Sequence, residues 1–100
     1  MIRGTTPTHF FNLPFDTEII DKVKVIYAQN DNVMLTKEKE SCACEGNVIK
    51  VRLSQEDTFK FDCKKLVQIQ LRILTNGGDV LASTIQLVEV EKCLESEIIE

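Results

Sequence analysis

The sequence predicts an all-β protein: a single immunoglobulin-like antiparallel β-sandwich of about seven strands, with one or two single-turn helices. Two observations carry this prediction. Apolar and polar side chains alternate with a period of two over several stretches, as in strands that bury one face. Turn residues recur about every 8 to 14 residues, without a sustained helical period. One hundred residues are enough for one domain, and a small β-barrel is the alternative architecture.

The first predicted strand covers residues 9–15, with the sequence HFFNLPF. Its alternation places three large apolar side chains on one face, namely Phe11, Leu13 and Phe15, while Pro14 marks an edge or a strand end. Asp16 is a good N-cap for a single helical turn of 3-10 character over the following residues.

The next two strands form a predicted hairpin. Residues 22–29, KVKVIYAQ, alternate so that Val23, Val25 and Tyr27 point inward while the lysines point outward. Residues 30–32, NDN, have turn chemistry, and residues 33–39 return as the paired strand.

The middle of the chain predicts another turn, a strand and a short helix. Gly46 and Asn47 form the turn, and residues 48–54 alternate with Ile49, Val51 and Leu53 inward. Ser54 is followed three residues later by an acid, which predicts a capped single-turn helix. Phe59 and Phe61 are then expected to return to the core.

The longest predicted strand covers residues 65–74 and is followed by an Asn-Gly-Gly-Asp turn and a return strand over residues 80–90. Its apolar side chains form one row, and Gln68, Gln70 and Arg72 form the opposite row. This polar row faces either water, a neighbouring subunit or a ligand. Arg is favoured at protein interfaces and Gln pairs with backbone groups, so we select the row as a candidate contact site.

Composition and charge argue against several classes of function. Apolar residues make up 43% of the chain and charged residues 28%, which is typical of a folded protein. The net charge of −4 argues against binding to nucleic acid and to anionic membranes. No apolar run has the length of a membrane span or a secretory leader, so the chain is expected to be made and used in a cytoplasm or assembled there.

The cysteines and the single histidine indicate neither a metal site nor catalysis. Cys42 and Cys44 form one tight pair, whereas zinc sites usually use two such pairs. Cys63 and Cys93 are interpreted as small buried apolar residues, and no disulfide is expected. His9 is expected to face solvent or an interface, and no nucleophile accompanies it. We therefore predict a protein that is not an enzyme and needs no cofactor.

The two ends of the chain differ from its body. Residues 1–8 are polar and contain Gly and Pro, which predicts an extended N-terminal arm. Residues 9–94 form the predicted sandwich, and residues 95–100 form an acidic tail that contains two isoleucines. The arm contributes Thr5, Thr6, Pro7 and Phe10 as further candidate partner-binding residues.

Five segments resemble a family of proteins of roughly 100 residues that bacteriophages and prophages of Gram-positive gut bacteria encode. The segments are RGTTPTHF at 3–10, LPFD at 13–16, VxVxYAQN at 23–30, LSQEDTFKF at 53–61 and VQIQLRILTNGGD at 67–79.

The resemblance implies a phage-associated role as a structural or accessory protein of the virion, in the tail, the baseplate or a capsid decoration. Such a protein would bind other copies of itself and other virion proteins, and would be assembled in the host cytoplasm. The alternative is a small binding protein that acts in the host cytoplasm, in counter-defence or regulation.

Deletion of residues 1–8 tests the role of the arm. An arm that serves only as a contact segment should leave a folded monomer when it is removed. Loss of the cooperative thermal transition in circular dichroism would show instead that the arm is part of the core.

Overall fold

The computed structural model describes all 100 residues and contains eight strands in two antiparallel sheets. The strands are β1 (Thr8–Asn12), β2 (Ile20–Gln29), β3 (Asn32–Glu38), β4 (Cys42–Glu45), β5 (Val48–Arg52), β6 (Val67–Thr75), β7 (Val80–Ala82) and β8 (Gln86–Val88). One sheet has the order β1-β5-β4, and the other has the order β3-β2-β6 with both β7 and β8 on the far side of β6.

This arrangement confirms the predicted immunoglobulin-like sandwich. The two sheets correspond to strands B-E-D and C′-C-F-G of that fold, with the last strand broken into β7 and β8. The break raises the number of strands from about seven to eight. No strand pairs across the two sheets, so the structure is not a closed barrel.

Three short helical segments connect the strands, where one or two were predicted. Two are 3-10 turns, Thr17–Ile19 and Lys39–Ser41, and the third is α1, Gln55–Phe59. Asp16 caps the first turn by accepting a hydrogen bond from the Glu18 N–H. Ser54 and Asp57 form a reciprocal capping box at the start of α1.

The central pair of strands, β2 and β6, organises the core. Their inward side chains alternate as the sequence predicts, and those of Val23, Val25 and Tyr27 are almost completely buried. They pack with the inward side chains of β6 and with Ile49 and Val51 of the other sheet in one apolar cluster. Each outward residue of β2 and β6 is therefore fixed on the opposite face.

The return strand changes its register between β7 and β8. Ala82 pairs with Arg72, and Gln86 pairs with Ile69. Between these two pairs the return strand advances by four residues while β6 advances by three, so the return strand contains one extra residue. The extra residue forms a bulge at Ser83–Ile85. Such a bulge at a sheet edge bends the strand and interrupts a regular pairing surface.

The ends of the strands form two opposite ends of the sandwich, which we call the upper end and the lower end. The upper end holds the start of β2, the β6–β7 turn and the β4–β5 turn. The lower end holds the β2–β3 turn, α1 and the segment after β8. Asn30 and Asp31 in the lower turn both have positive φ, as the tight turn of this hairpin requires.

Residues 1–7 fold back onto the lower end of the sandwich instead of extending from it. The backbone of residues 1–3 runs parallel to the segment after β8, with hydrogen bonds that join Met1 and Arg3 to Glu91. The Arg3 guanidinium donates to the Phe59 carbonyl at 2.9 Å. The Thr58 hydroxyl accepts from the Gly4 N–H and donates to the Thr5 carbonyl.

The acidic tail is also held at the lower end. The Gln55 side-chain amide donates to the Ile99 carbonyl and its oxygen accepts from the Ile99 N–H, both at 2.9 Å. The backbone of Glu91 is hydrogen-bonded to Met1 and Arg3 of the arm. Both ends of the segment between Glu91 and Ile99 are thus attached to the same end of the molecule.

The contacts of the arm change what we expect from its deletion. Removing residues 1–8 also removes the first residue of β1, the parallel bridge to Glu91 and the hydrogen bonds to Thr58 and Phe59. We therefore expect the truncated chain to lose stability or to lose its cooperative transition. A melting curve equal to that of the intact chain would contradict this.

Gly4→Ala should destabilise the protein more than Gly46→Ala. Both glycines have positive φ, +79° and +55°, which costs an alanine about 1–2 kcal/mol. At Gly4 an added Cβ would also lie 2.5 Å from the Phe59 ring, whereas nothing lies within 4 Å at Gly46. We expect a loss of about 1 kcal/mol for Gly46→Ala and about 2–4 kcal/mol for Gly4→Ala in chemical denaturation. Equal losses would show that the arm does not pack on Phe59.

Candidate functional site

The predicted row of Gln68, Gln70 and Arg72 lies on the outer face of the five-stranded sheet. Residues that pair directly across antiparallel strands point to the same face. Lys24 pairs with Arg72, and Leu87 pairs with Gln68. The outer sheet face, as we call it, is therefore formed by Lys22, Lys24, Ile26 and Ala28 of β2; Val33, Thr36 and Glu38 of β3; Gln68, Gln70, Arg72 and Leu74 of β6; and Val80, Ala82, Ile85 and Leu87 of the return strand.

Two members of the row use their polar groups within the chain. Gln68 accepts from the Asp31 N–H at 2.8 Å and donates to the Asp31 carboxylate at 2.9 Å, which attaches the β2–β3 turn to β6. Gln70 donates to the Ser83 carbonyl at 3.0 Å and so stabilises the bulge. Their first role is to hold the edges of the sheet in place.

Arg72 differs from the two glutamines because it has no such partner. It forms a basic patch with Lys22 and Lys24 on the upper half of the outer sheet face. None of the three is in an ion pair, since the two ion pairs of the chain are Lys37–Asp57 and Lys50–Glu45. A shallow cavity beside them is lined by Leu74 and Val80.

Exposed aliphatic side chains surround the row. Val33, Val80, Ile85 and Leu87 all belong to the outer sheet face, and each has more than half of its side chain exposed. Single exposed aliphatics are common on protein surfaces, but several on one face of one sheet are typical of a contact surface. The face combines cations, amides already held in place, and apolar area.

The other four candidate residues, which are Thr5, Thr6 and Pro7 of the arm and Phe10 of β1, lie apart from this face. The Thr5 hydroxyl donates to the Ile2 carbonyl, and the Thr6 hydroxyl accepts a long 3.4 Å hydrogen bond from Arg52. The Pro7 carbonyl accepts from the Leu53 N–H, which extends the β1–β5 ladder. Phe10 is 60% exposed on the outer face of the three-stranded sheet, with the Lys50 ammonium 6.0 Å from its ring centre.

A cavity of about 500 Å³ lies between the open edges of the two sheets. Its walls come from β1 and the segment after it on one side and from β6 and β7 on the other. No charged side chain lines it; the residues are Phe10, Phe11, Asn12, Leu13, Pro14, Phe15, Leu71, Ile73, Leu81, Ala82, Ser83 and Gln86. No sequence pattern indicates this seam cavity, because its two walls come from distant parts of the chain.

His9 is half-buried and contacts the core through Tyr27, whereas the sequence predicted that it faces solvent or an interface. Its Nδ1 lies 2.8 Å from the hydroxyl oxygen of the buried Tyr27. Burial raises the pKa of Tyr27, so this phenol stays protonated. The two groups are hydrogen-bond partners, and the tautomer of the imidazole decides which of them donates. Burial, and next the charge of the Met1 amino group, lower the pKa of His9.

A second polar contact near Tyr27 joins the larger sheet to α1. The Lys37 ammonium lies 2.8 Å from the Asp57 carboxylate, which joins β3 to α1. Burial alone would raise the pKa of Asp57, but the hydrogen bonds from Lys37 and from the Ser54 N–H hold it below its ordinary value. The pair is a structural link, since its capping-box and ion-pair contacts occupy the carboxylate.

The four cysteines do not converge. Cys42 and Cys44 lie in β4 with both side chains half-buried against the core, as a strand position implies. Burial raises the pKa of Cys42 to about 11, which keeps it a thiol. Cys63 was expected to be buried but is exposed, because it lies in the turn after Phe61, and Cys93 is half-buried. No three His, Cys, Asp or Glu side chains form a group that could hold a metal ion.

Comparison with models of protein families, with curated proteins and with solved structures found no match. The resemblance to phage proteins therefore stays a prediction from the sequence. No helix of the structure has the length and apolar character needed to cross a membrane.

The His9–Tyr27 contact predicts how stability depends on pH. Because the folded pKa of His9 lies below its ordinary 6.5, the unfolded chain takes up a proton more readily than the folded chain as the pH falls below about 6.5. The free energy of unfolding should therefore decrease from pH 7 towards pH 5.

His9→Gln should remove most of the pH dependence of the free energy of unfolding. At pH 7.5, where His9 is neutral in both states, the difference in stability between the variant and the wild type measures the effect of the substitution itself. Urea denaturation at four pH values between 5 and 7.5 measures both. An equal slope in the two proteins would mean that His9 titrates normally in the folded state.

Proposed function

We propose that this protein is a non-enzymatic phage structural or accessory protein that acts through protein–protein contacts, with copies of itself and with other virion proteins. The observation that carries the proposal is the outer sheet face. It combines cations without ion-pair partners with exposed aliphatic side chains on one side of a rigid sheet. The phage context rests on the resemblance of the five sequence segments.

The construction of this face supports a docking role. Gln68 and Gln70 fix the turn and the bulge at its two sides, so the backbone that carries Val33 and Ile85 is held in one geometry before any partner binds. A preorganised backbone loses less conformational entropy on binding than a mobile one. The bulge also makes a continuous edge-to-edge sheet less favourable, which directs contacts to the face.

A second candidate function is the capture of a partner in the host cytoplasm, and the seam cavity favours it. A cavity of about 500 Å³ with apolar walls has the size of a site for a small ligand or for a few side chains of an extended segment. Leu81→Arg would place a charge in its wall. This substitution should abolish such capture and leave contacts of the outer sheet face intact, which binding assays against each partner would measure.

Mass spectrometry of purified virions tests the proposed function directly. Particles from the phage that encodes this sequence should contain the protein at a stoichiometry that survives density-gradient purification. Detection only in the lysate of infected cells, and never in particles, would refute a virion role and leave the cytoplasmic binding protein as the better hypothesis.

A pair of substitutions tests which surface makes the contacts. Val80 and Phe10 are exposed to the same extent, 59% and 60%, but lie on the outer faces of different sheets. Val80→Glu should weaken self-association in sedimentation velocity about tenfold or more, because it buries a charge at the interface. Phe10→Glu should have little effect. The reverse result would assign the contact to the region of the arm and β1.

A further inference from the structure

We propose that copies of this chain associate head to tail, with the acidic tail of one copy bound to the basic patch of the next. This inference rests on the proposed self-association and specifies its geometry. Four observations support it: the charges, the apolar residues, the positions of the two surfaces and the attachment of the tail.

The charges of the two surfaces are complementary and unsatisfied within one copy. The patch of Lys22, Lys24 and Arg72 contains no ion pair, although Glu38 lies opposite Lys24 across the sheet. The tail, residues 95–100 with the sequence ESEIIE, carries three glutamates and no cation. None of its glutamates is in an ion pair either. Complementary potentials of this kind select and orient partners.

Both surfaces also carry apolar groups that one copy leaves in water. Ile99 of the tail is 72% exposed, and Leu94, directly before the tail, is 98% exposed, so aliphatic side chains accompany the acids. Leu74 and Val80 line the cavity beside the basic patch. An acidic aliphatic segment thus matches a basic aliphatic surface in both charge and polarity.

The positions of the two surfaces exclude the contact within one copy. The patch lies at the upper end of the five-stranded sheet, near the start of β2. The tail is attached at the lower end, through Glu91 to the arm and through Ile99 to Gln55 of α1. From Lys22 to Gln29 alone, β2 extends about 23 Å. A tail held at both of these points cannot reach the patch of its own chain.

The geometry of the assembly follows from these positions. A contact between two different surfaces is heterologous, and each copy keeps one free patch and one free tail. Such contacts build a ring where the rotation between copies closes and a filament where it does not. A symmetric dimer through one self-complementary face is the competing arrangement.

Two variants, in each of which neutral side chains replace the charged ones of one surface, distinguish these arrangements. Lys22→Gln with Arg72→Gln removes most of the patch charge, and Glu95→Gln with Glu97→Gln removes most of the tail charge. All four side chains are exposed, so both variants should keep the wild-type melting temperature. Each variant alone should associate about tenfold or more weakly than the wild type.

The equimolar mixture of the two variants is the decisive sample. One variant keeps an intact tail and the other keeps an intact patch, so exactly one productive contact remains per pair of chains. Light scattering should show a two-chain complex that does not grow with concentration. If either variant alone assembles like the wild type, or if the mixture stays monomeric, the head-to-tail contact is refuted.

The wild type in the same experiment separates this inference from the proposed function. A wild-type chain that stays monomeric at every concentration refutes self-association and the head-to-tail contact together. A wild-type oligomer that both variants retain refutes only the head-to-tail contact, and leaves assembly through another part of the surface.

Discussion

The pairing of β2 with β6 is the constraint on which the rest of the structure depends. It joins the two central strands of the larger sheet, and their inward side chains form much of the core. Because strand side chains alternate strictly between two faces, burying Val25 and Leu71 commits Lys24 and Arg72 to the outside. The candidate contact surface is thus a consequence of core packing, and a shift of one residue in register would destroy both.

Long-range polar contacts hold the turns, the short helix and the two chain ends, which the β2–β6 pairing does not position. Gln68 and Gln70 attach the two sides of the larger sheet to β6, and the Lys37–Asp57 pair joins that sheet to α1. At the lower end, Thr58 and Gln55 hold the arm and the tail. These contacts give the molecule two chemically different ends, with cations on the sheet near one end and an acidic aliphatic segment at the other.

The alternation in residues 22–27 and 67–74 predicted the inward and outward faces correctly, because a period of two is a local property. The caps at Asp16 and Ser54 were predictable for the same reason. The partners of Gln68 and Gln70 were not, since Asp31 is 37 residues away and its approach depends on the folded hairpin. The bulge at Ser83–Ile85 was missed because a shift in register changes no residue type. The seam cavity and the docked arm likewise require the three-dimensional arrangement.

We propose that this protein acts by associating with other copies and with partners through the outer sheet face. Light scattering on a size-exclusion column, in reducing buffer and over a wide range of protein concentration, tests it most directly. An associating chain should show a mass that is a multiple of the 11.4 kDa of one chain and that decreases on dilution or at high salt. A mass of one chain at every concentration would contradict it.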